Sequence, residues 1–411
     1  MSLWHATPAP PLPALQGRQE ADLLVIGGGF AGLSTALHAA EAGLSVIVLE
    51  AHLIAHGASG RNAGFVVPNF AKVDPEQITH RPLVDMAAGS ADLVFDLIRR
   101  HAIPCDAVQS GWIQPSHSDA ALARAASRVR QWSALGRPAE LLTKAQVTEM
   151  TGVPGWKGGW IDRSGGVVNP VAYARGLAQA AIRAGVRIHE TSAVTALAPG
   201  WRATTAQGEV QARRVVLATN AYGHLWPGLD RSFFPLRVFQ VATQPLPLSI
   251  RQRLLPGGQC VSDTRRNLFT FRFDAANRLI SGGMHVISWG ADRRVPQTIH
   301  RRLMRVLDLP DLPPLEHAWS GLASVMPDFL PRVVELAPGL LAGFACNGRG
   351  IALSTAMGRE LASWAAGRDA GDLAIPRQRA KPLPLHALSR LAPNMLLPLS
   401  QLRDWADTRG G

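Results

Sequence analysis

The sequence contains few cysteines, and their placement excludes two kinds of site. The three cysteines, Cys105, Cys260 and Cys346, stand far apart in a chain of 411 residues. No C-x-x-C pair occurs, so the sequence predicts neither a zinc site nor a redox dithiol. The 13 histidines form no H-x-H or H-E-x-x-H pattern, and we therefore expect no bound metal. A low cysteine content is typical of the reducing cytoplasm, which is the location we expect.

Long apolar runs and clusters of basic residues are absent as well. No stretch of about 20 apolar residues occurs, which predicts that no segment spans a membrane. The first residues have no basic segment followed by an apolar one, so we expect no signal peptide. The formal net charge of +12 comes almost entirely from scattered arginines, which argues against a nucleic-acid-binding surface. Solvated arginine-rich faces explain the charge, and attraction of an anionic cofactor or substrate is the alternative.

The composition that remains is that of a globular protein with more than one domain. Hydrophobic residues make up 47% of the chain and charged residues 18%. A chain of 411 residues exceeds the usual size of one hydrophobic core, which suggests two domains. Strand–helix units lie at the start, middle and end, and a strand-rich stretch at 226–315 carries a hairpin signal at Asp274–Asn277. This order predicts an α/β fold in which a discontinuous domain encloses a second one.

The most informative segment is Asp22–Glu50. An apolar run is followed at once by a G-x-G-x-x-G pattern, a helical stretch and a second apolar run that ends in an acid. The first glycine permits a tight turn, the second lets the backbone approach a pyrophosphate, and the third lets the helix pack closely on the sheet. The helix N-terminus attracts phosphate, and the acid accepts hydrogen bonds from ribose hydroxyls. The pattern predicts a dinucleotide site at Gly27, Gly29, Gly32 and Glu50, whereas a glycine-rich turn without a ligand would explain neither the spacing nor the acid.

Two further glycine-rich turns are candidates for ligand contact. The stretch 57–65, GASGRNAGF, follows the second strand, and its backbone N–H groups with Arg61 and Asn62 suit a phosphate, a ribityl chain or a ring edge. The turn Asn347–Gly350 opens a helix whose dipole stabilises negative charge. An ordinary loop and a plain strand–helix connector are the alternative interpretations. Cys346 is interpreted as a buried, inert thiol, because no histidine forms an activating pair with it.

The apolar periodicity predicts the elements around these turns. It places helices at 83–101, 119–135, 171–184, 298–307 and 351–366. It places strands at 109–115, 186–190, 214–219, 269–273, 279–281 and 340–344, with a meander at 192–205. Residues 1–21 are predicted to be an extended or irregular lead-in, residues 158–170 a turn region, and residues 376–411 a tail rich in proline and leucine.

Four segments resemble a known family. They read GGGFAG with Glu50, GASGRNAGF, SGGVVNPVAYARGLAQAA and GFACNGRGIALSTAMGRELA. Together they resemble the FAD-dependent amine and amino-acid oxidases of the D-amino-acid-oxidase, glycine-oxidase and sarcosine-oxidase superfamily. The combination of SGRN-x-G with NGRG is most similar to the bacterial γ-glutamylputrescine oxidase branch. The resemblance covers residues 22–375 and is loose at 226–315, where the substrate is usually selected.

The resemblance implies a Rossmann-like FAD-binding domain and a mixed β-sheet substrate domain. It implies oxidation of a C–N bond by hydride transfer to flavin N5, hydrolysis of the imine in water, and reduction of O2 to H2O2. The expected partners are an amine or amino-acid substrate and O2, and the oligomeric state is open. The expected boundaries are 22–85, 150–225 and 316–375 for the FAD-binding domain, 86–149 and 226–315 for the substrate-binding domain, and 376–411 for the tail.

The resemblance also assigns site residues. The implied cofactor contacts are Gly27, Gly29, Phe30, Ala31, Gly32, Glu50, Ser59, Arg61, Asn62, Gly64, Val194, Ala218, Thr219, Gly348, Arg349, Gly350 and Ile351. The candidates for the reacting end of the site are Arg61, Arg349, Arg272 and His285, with Trp319 as a weaker candidate. For Arg272 the alternative is a strand position facing solvent, and for Trp319 it is packing in the core.

Two departures from the family pattern bear on the cofactor and the substrate. Sarcosine oxidases carry their flavin on a cysteine shortly before a Pro-Asp pair, but residues 319–326, before Pro327-Asp328, contain no cysteine. We therefore expect noncovalent FAD. A lysine that contacts the substrate carboxylate in sarcosine oxidases is replaced by Ala352, which argues against a small N-methyl amino acid. Three other functions stay open: a dehydrogenase that passes electrons to a quinone or another carrier, a non-catalytic flavin-binding protein, and an NAD-dependent enzyme.

Overall fold

A computed structural model describes residues 2–5, 10–284 and 289–384. The strands are β1 (Gly17–Ile26), β2 (Val46–Leu49), β3 (Phe65–Val66), β4 (Trp112–Ser116), β5 (Ala139–Leu142), β6 (Gly158–Asp162), β7 (Gly166–Val167), β8 (Arg187–His189), β9 (Ala196–Ala198), β10 (Arg202–Thr204), β11 (Gly208–Leu217), β12 (Phe234–Pro245), β13 (Cys260–Ser262), β14 (Thr270–Phe273), β15 (Arg278–Met284), β16 (Leu315–Val325), β17 (Arg332–Ala337), β18 (Leu340–Phe344) and β19 (Arg377–Arg379). The α-helices are α1 (Phe30–Glu41), α2 (Arg81–Ala88), α3 (Ser90–Arg100), α4 (Asp119–Ala134), α5 (Lys144–Thr151), α6 (Pro170–Arg183), α7 (Leu248–Arg253), α8 (Ala291–Leu307) and α9 (Gly350–Ala365).

The first sheet is built on the predicted strand–turn–helix–strand segment. β1 pairs in parallel with β2, with Leu23 opposite Val46, and on its other side with β11. The strand order is β19-β17-β18-β11-β1-β2-β8, and β10 and β9 extend from β11. Leu23 and Leu24 are fully buried, as expected for a parallel strand that is covered on both faces. Helices α1 and α9 pack together, where Ser34 Oγ donates to the Thr355 carbonyl at 2.7 Å.

The parallel strands bring the predicted glycine-rich turns to one edge. β1, β2, β11 and β18 run in the same direction, so that their carboxyl ends lie side by side. Gly27, Glu50, Ala218 and Ala345 are the residues that directly follow these strands. The carboxyl edge of an open parallel sheet is where ligands bind in such folds.

The second sheet is mixed and has the order β16-β12-β15-β14-β13-β4-β6-β5. Phe239 and Phe271 contribute to its core, together with Leu303 from α8. β14 and β15 are antiparallel neighbours, and Asn277 between them has a φ of +62°. The hairpin predicted at Asp274–Asn277 is therefore confirmed, as is the mixed α/β fold class.

Several predicted boundaries were wrong. The helix expected at 83–101 is two helices, α2 and α3, separated at Gly89, since glycine is a poor helix former. Helix α8 begins at Ala291, two turns before the expected start. β1 begins at Gly17 and not at Asp22, because its first half is polar and partly exposed and so carries no apolar run.

The stretch 158–170 is not a turn region, because it contains β6 and β7. The glycines there allow close packing of strands. A Cβ on Gly159 would lie 2.6 Å from the Gln114 carbonyl oxygen of the neighbouring β4. Among the described helices, none is long and apolar enough to cross a bilayer.

Candidate functional site

The turn after β1 leaves no room for side chains. Gly27 has a φ of +117°, and a Cβ placed on it would lie 2.8 Å from the Ala218 carbonyl oxygen. A Cβ on Gly32 would overlap the carbonyl oxygen of Gly27. Both positions therefore require glycine, since a side chain would open the turn or push α1 away from the sheet.

The first turn of α1 presents its backbone at the same edge. Its N-cap, Gly29, has no side chain to cap the helix, and the Phe30 N–H donates to Ser59 Oγ at 3.1 Å. The Phe30 ring packs against Tyr173 at 5.6 Å between centroids, so its side chain belongs to the core. Ala31 follows in the same turn and is half-buried. A helix N-terminus of this kind attracts an anion through its N–H groups and its dipole.

Glu50 stands at the end of β2, as the pattern predicts. Its Oε2 accepts a hydrogen bond from the Gly28 N–H at 2.7 Å, and Oε1 accepts one from the His52 N–H at 2.9 Å. Each carboxylate oxygen retains a further lone pair for a ligand hydroxyl. The Ser192 N–H donates to the Glu50 carbonyl at 2.8 Å, which brings the segment that contains the half-buried Val194 to this edge.

The loop 57–65 is held in shape by Asn62. The Asn62 amide donates to the carbonyls of Ala58 and Ser59, at 3.1 and 2.8 Å, and its oxygen accepts from the Gly64 N–H at 2.8 Å. The side chain of Asn62 therefore organises the loop. The loop backbone is what remains to face a ligand.

Arg61 connects this loop to the second sheet. Its Nε donates to the His56 carbonyl at 2.8 Å, and its Nη1 donates to the Ser320 carbonyl of β16 at 3.4 Å. In return, Trp319 Nε1 donates to the Arg61 carbonyl at 3.1 Å. A Cβ on Gly321 would lie 2.9 Å from Arg61 Cβ, so β16 needs glycine at this contact. Trp319 is buried, in agreement with its alternative role in packing.

Arg272 of β14 points into the protein and not to solvent. Only 2% of its surface is exposed, and its Nη2 donates to the Val168 carbonyl at 3.1 Å. Its guanidinium carbon lies 5.2 Å from the ring centre of Trp4, and its Nε is buried without a hydrogen-bond partner in the described residues. Burial lowers the pKa of the Arg272 guanidinium to about 10. The group therefore remains charged at neutral pH.

Arg349 lies at the start of α9 and reaches the second sheet. Its guanidinium carbon is 5.1 Å from the ring centre of Trp112 on β4, and its buried Nε has no partner within the described ranges. Burial lowers the pKa of this guanidinium to about 10 as well. In the described part of the chain, neither Arg349 nor Arg272 has a carboxylate at ion-pair distance. Two positive charges without a directly bonded carboxylate in the described residues thus lie on and against the second sheet, and Asp274 and Asp106 act on Arg272 from a greater distance. The neighbours of Arg349 complete the turn: Gly348 at a φ of +81°, Gly350, and the buried Ile351.

A network of short polar side chains joins the ends of β11, β16 and β18. Asn347 Oδ1 accepts from the Met326 N–H at 2.8 Å. Ser324 Oγ accepts from the Ala345 N–H at 2.8 Å and donates to Asn220 Oδ1. Ala218 and Thr219 lie at the start of this connection, directly after β11. The network fixes the position of the last glycine turn relative to the first sheet.

Sequence reasoning missed three of these residues. Trp4 lies in the lead-in that was expected to be irregular, and Trp112 was expected only as part of a strand. Ser324 has no local signal, because its partners are distant in the chain. His285, a candidate for the reacting end, lies outside the described residues. Burial raises the pKa of the Cys346 thiol, so the thiol is neutral at neutral pH.

Among the residues that the structure describes, no group of histidine, cysteine, aspartate and glutamate could hold a metal ion. The glycine cradle, the acid at the end of β2 and the helix N-terminus instead suit a dinucleotide. A family model described as DAO, FAD dependent oxidoreductase, matches residues 22–364. The chain belongs to this family. The resemblance derived from the four sequence segments is thereby confirmed.

Two relatives match over most of their length. The chain is similar to γ-glutamylputrescine oxidoreductase of Escherichia coli K12, with 31% identity over 86% of this chain and 85% of the relative. It is 28% identical to the probable oxidoreductase OrdL of Haemophilus influenzae, over 87% of this chain and 85% of that protein. Such coverage means that the likeness includes both sheets.

Two solved structures share the fold. Glycine oxidase from Geobacillus kaustophilus has a TM-score of 0.70 and 24% identity, over 85% of this chain and 96% of that one. An L-amino acid deaminase from Proteus vulgaris, with a specific insertion deleted, has a TM-score of 0.73 and 21% identity, over 89% of this chain and 94% of that one. The two-sheet architecture is therefore that of this oxidoreductase family.

Proposed function

We propose that this FAD-dependent oxidoreductase is an oxidase of amines or amino acids. The observation that carries the proposal is the glycine cradle at the carboxyl edge of the first sheet. Its positions fit FAD, because glycine at Gly27 and Gly32 permits the tight turn and the close packing of α1 on the sheet that a dinucleotide-binding turn requires. The buried Nε of Arg349, which has no hydrogen-bond partner among the described residues, is a second sign of fit, since a donor of this kind suits the oxygen or nitrogen edge of a ring.

The site residues divide the cofactor between them. We propose that the α1 N-terminus holds the pyrophosphate, that Glu50 holds the adenosine ribose, and that Val194 meets the adenine through its backbone. The flavin and its ribityl chain would lie against two segments. One is the turn 348–351 at the start of α9, and the other is the loop that contains Ser59, Arg61, Asn62 and Gly64. Ala218 and Thr219 would lie beneath the cofactor. The attachment is noncovalent in this proposal, since residues 319–326 of β16 and its end contain no cysteine.

The two sheets suggest two domains with different functions. We propose that the first sheet with its helices is the FAD-binding domain and that the second sheet is the substrate domain. The division departs from the expected segments, 22–85, 150–225 and 316–375 against 86–149 and 226–315, at two strands. Strands β6 and β16, from the segments 150–225 and 316–375, lie in the second sheet.

The chemistry that FAD supplies is acceptance of a hydride from the substrate carbon and delivery of two electrons to an acceptor. The protein contributes charge and position. Arg272 and Arg349 present positive charge in a region from which water is largely excluded, where charge interactions are stronger than in water. The N-terminus of α9 adds a partial positive charge of the same sign. No general base is assigned, because an amine that binds in its neutral form carries the lone pair that oxidation needs.

The substrate is proposed to be an amine larger than a small N-methyl amino acid. Ala352, which stands where sarcosine oxidases carry a carboxylate-binding lysine, is fully buried and offers no charge. The E. coli relative is named for γ-glutamylputrescine, a substituted diamine, which is therefore the first compound to test. We propose O2 as the electron acceptor and H2O2 as the product, with a quinone or another carrier as the alternative acceptor.

The deciding experiment is the visible spectrum of the purified protein under anaerobic conditions. A panel of γ-glutamylputrescine, free diamines, N-substituted amino acids and α-amino acids is added in turn. Bleaching by one class identifies the substrate class, and readmission of air separates an oxidase from a dehydrogenase by the rate at which colour returns. A yellow protein that no member bleaches would contradict the proposed substrate class. A colourless protein that FAD does not reconstitute would contradict the cofactor assignment.

A further inference from the structure

The segment Ser2–His5 forms a short 3₁₀ turn that packs on the loop 57–65. Ser2 Oγ donates to the Gly60 carbonyl at 2.5 Å, and Trp4 Nε1 donates to the Asn62 carbonyl at 2.8 Å. A Cβ on Gly60 would overlap the Ala55 carbonyl oxygen and would also lie 2.7 Å from His5 Cε1, so the loop itself requires glycine here and His5 packs against the bare backbone. The lead-in is therefore part of the structure around the proposed flavin loop.

The chain that follows is fastened to the first sheet. The Leu12 N–H donates to Glu190 Oε2 at 2.7 Å, and the Leu15 N–H donates to Ser192 Oγ at 2.9 Å. Both acceptors lie just beyond β8, at the edge where Glu50 stands. Two early segments of the chain therefore have fixed contacts: residues 2–5 with the loop 57–65, and residues 12–15 with the chain beyond β8.

The Trp4 ring lies between the two candidate residues of the second sheet. It is 6% exposed and meets the Trp319 ring edge to face, with centroids 6.2 Å apart and planes at 79°. The Arg272 guanidinium lies over the Trp4 ring, with its central carbon 5.2 Å from the ring centre. An aromatic face favours a cation at this distance, and the effect is larger where water is excluded. Trp4 therefore helps to hold Arg272 in its buried position.

A cavity opens beside this pair. It has a volume of about 310 Å³ and is lined by Trp4, Arg272, Asn169, Asp106, Gln259 and Asp274, among others. Its volume lies at the lower end of the range typical of small-molecule sites, and its lining combines the aromatic wall of Trp4 with several polar and charged side chains of both signs. Through Val167 and Asn169 it adjoins Val168, whose carbonyl Arg272 contacts near Gly64.

We propose that Trp4 is a specificity-determining wall of the substrate cavity and positions Arg272 within it. The inference rests on the proposed function, because it takes this cavity as the place where the amine chain lies. The segment Ser2–His5 then acts as a strap from the flavin loop to the substrate domain. The length of amine that the enzyme accepts is limited by the indole.

The experiment compares three variants of the full-length holoenzyme with wild type. Trp4→Ala removes the wall, and Trp4→Phe keeps a ring but loses the N–H that bonds to Asn62. Leu3→Ala is the matched control, since Leu3 is buried in the same turn and its aliphatic side chain has neither a ring nor a polar group with which to hold the Arg272 guanidinium. The substrates are straight-chain amines of increasing length, each with and without a terminal carboxylate.

We expect Trp4→Ala to raise KM for the preferred amine about tenfold, with a smaller effect on kcat, and to flatten the dependence of kcat/KM on chain length. Leu3→Ala should keep the wild-type dependence on length. Two results would contradict the proposal that Trp4 limits the length of the amine: an unchanged dependence on length in Trp4→Ala, or an equal change in Leu3→Ala. Trp4 would then have only a structural role.

A second readout does not depend on turnover. Hydrogen–deuterium exchange of the peptide that contains residues 57–65 is measured in the Trp4→Phe and wild-type holoenzymes. Faster exchange in the variant is expected, because the bond to the Asn62 carbonyl is lost, and unchanged exchange would contradict the strap. If no amine reduces the flavin of wild type, the proposed function fails, and the specificity role of Trp4 fails with it. The exchange result still decides whether the segment Ser2–His5 holds the loop 57–65.

Discussion

The Arg272 guanidinium occupies the space in which a side chain at position 64 would have to begin. Gly64 has a φ of +80°, and a Cβ on it would lie 2.7 Å from Arg272 Nη2 and would overlap the Val168 carbonyl oxygen that this Nη2 contacts. The loop 57–65 and strand β14 of the second sheet therefore meet without a gap. A buried cation is placed directly at the proposed flavin loop by this contact.

Replacing Gly64 by alanine is expected to displace either the loop or Arg272. The positive φ alone costs about 1–3 kcal/mol for a residue with a side chain, and the overlap adds to it. The Gly64→Ala variant should show a lower melting temperature and a lower FAD content, read from absorbance at equal protein concentration. Gly185→Ala is the control, because Gly185 has a φ of +92° but a Cβ there meets no atom within 4 Å. Equal losses in the two variants would mean that contact with Arg272 is unimportant.

Replacing Glu50 by glutamine is expected to weaken FAD binding. The amide puts an N–H group next to the Gly28 or His52 N–H, which now bond to the two carboxylate oxygens, and it removes a charged acceptor for ribose hydroxyls. A lost hydrogen bond to a charged group corresponds to roughly a tenfold or greater rise in the FAD dissociation constant, measured by titration of the apoprotein. Glu209→Gln, at a partly exposed pair with Arg18, should leave this constant unchanged. An FAD dissociation constant equal to that of wild type in Glu50→Gln would show that Glu50 does not contact the cofactor.

The flavin should leave the protein on denaturation. No cysteine lies in residues 319–326, before the Pro327-Asp328 pair where sarcosine oxidases attach their cofactor. After acid precipitation of the holoenzyme we expect all yellow colour in the supernatant and none in the pellet. Colour that stays with the washed pellet would show a covalent link and would require another attachment residue.

The docking of Ser2–His5 should weaken in acid. Burial, followed by the positive charges of Arg175 and Arg61, lowers the pKa of His5 to about 4, below the value of about 6.5 in an unfolded chain. Between these values the unfolded chain binds more protons than the folded one. The contribution of His5 to stability is therefore complete above about pH 6.5 and is lost as the pH falls to about 4.

The variant His5→Gln isolates this effect, since glutamine does not titrate. The melting temperature of wild type relative to His5→Gln should fall between about pH 7 and about pH 4.5, and other groups cancel in the difference. A difference that does not change with pH would mean that His5 is not shielded in the folded protein.

The dinucleotide turn could be predicted because its signals are local. The strand, Gly27, the helix and Glu50 lie within about 30 residues, and each part of a strand–turn–helix unit has a characteristic residue type. The sequence likewise indicated α9 and the last glycine turn. Strands β6 and β7 could not be predicted this way, since Gly159 looks like a turn residue until its close contact with β4 is known.

The sequence by itself determined the dinucleotide cradle and the α/β class, because apolar periodicity and glycine spacing act through neighbours in the chain, and the resemblance of its motifs implied FAD. Only the tertiary structure decided the direction of Arg272, for which a solvent-facing position was an open alternative, and the use of Trp4. The contacts that decide them join residues far apart in the chain, 104 positions for Arg272 and Val168 and 58 for Trp4 and Asn62. Such pairs produce no periodic pattern in the sequence, because packing of the two sheets brings the partners together. The local conformation of either strand does not.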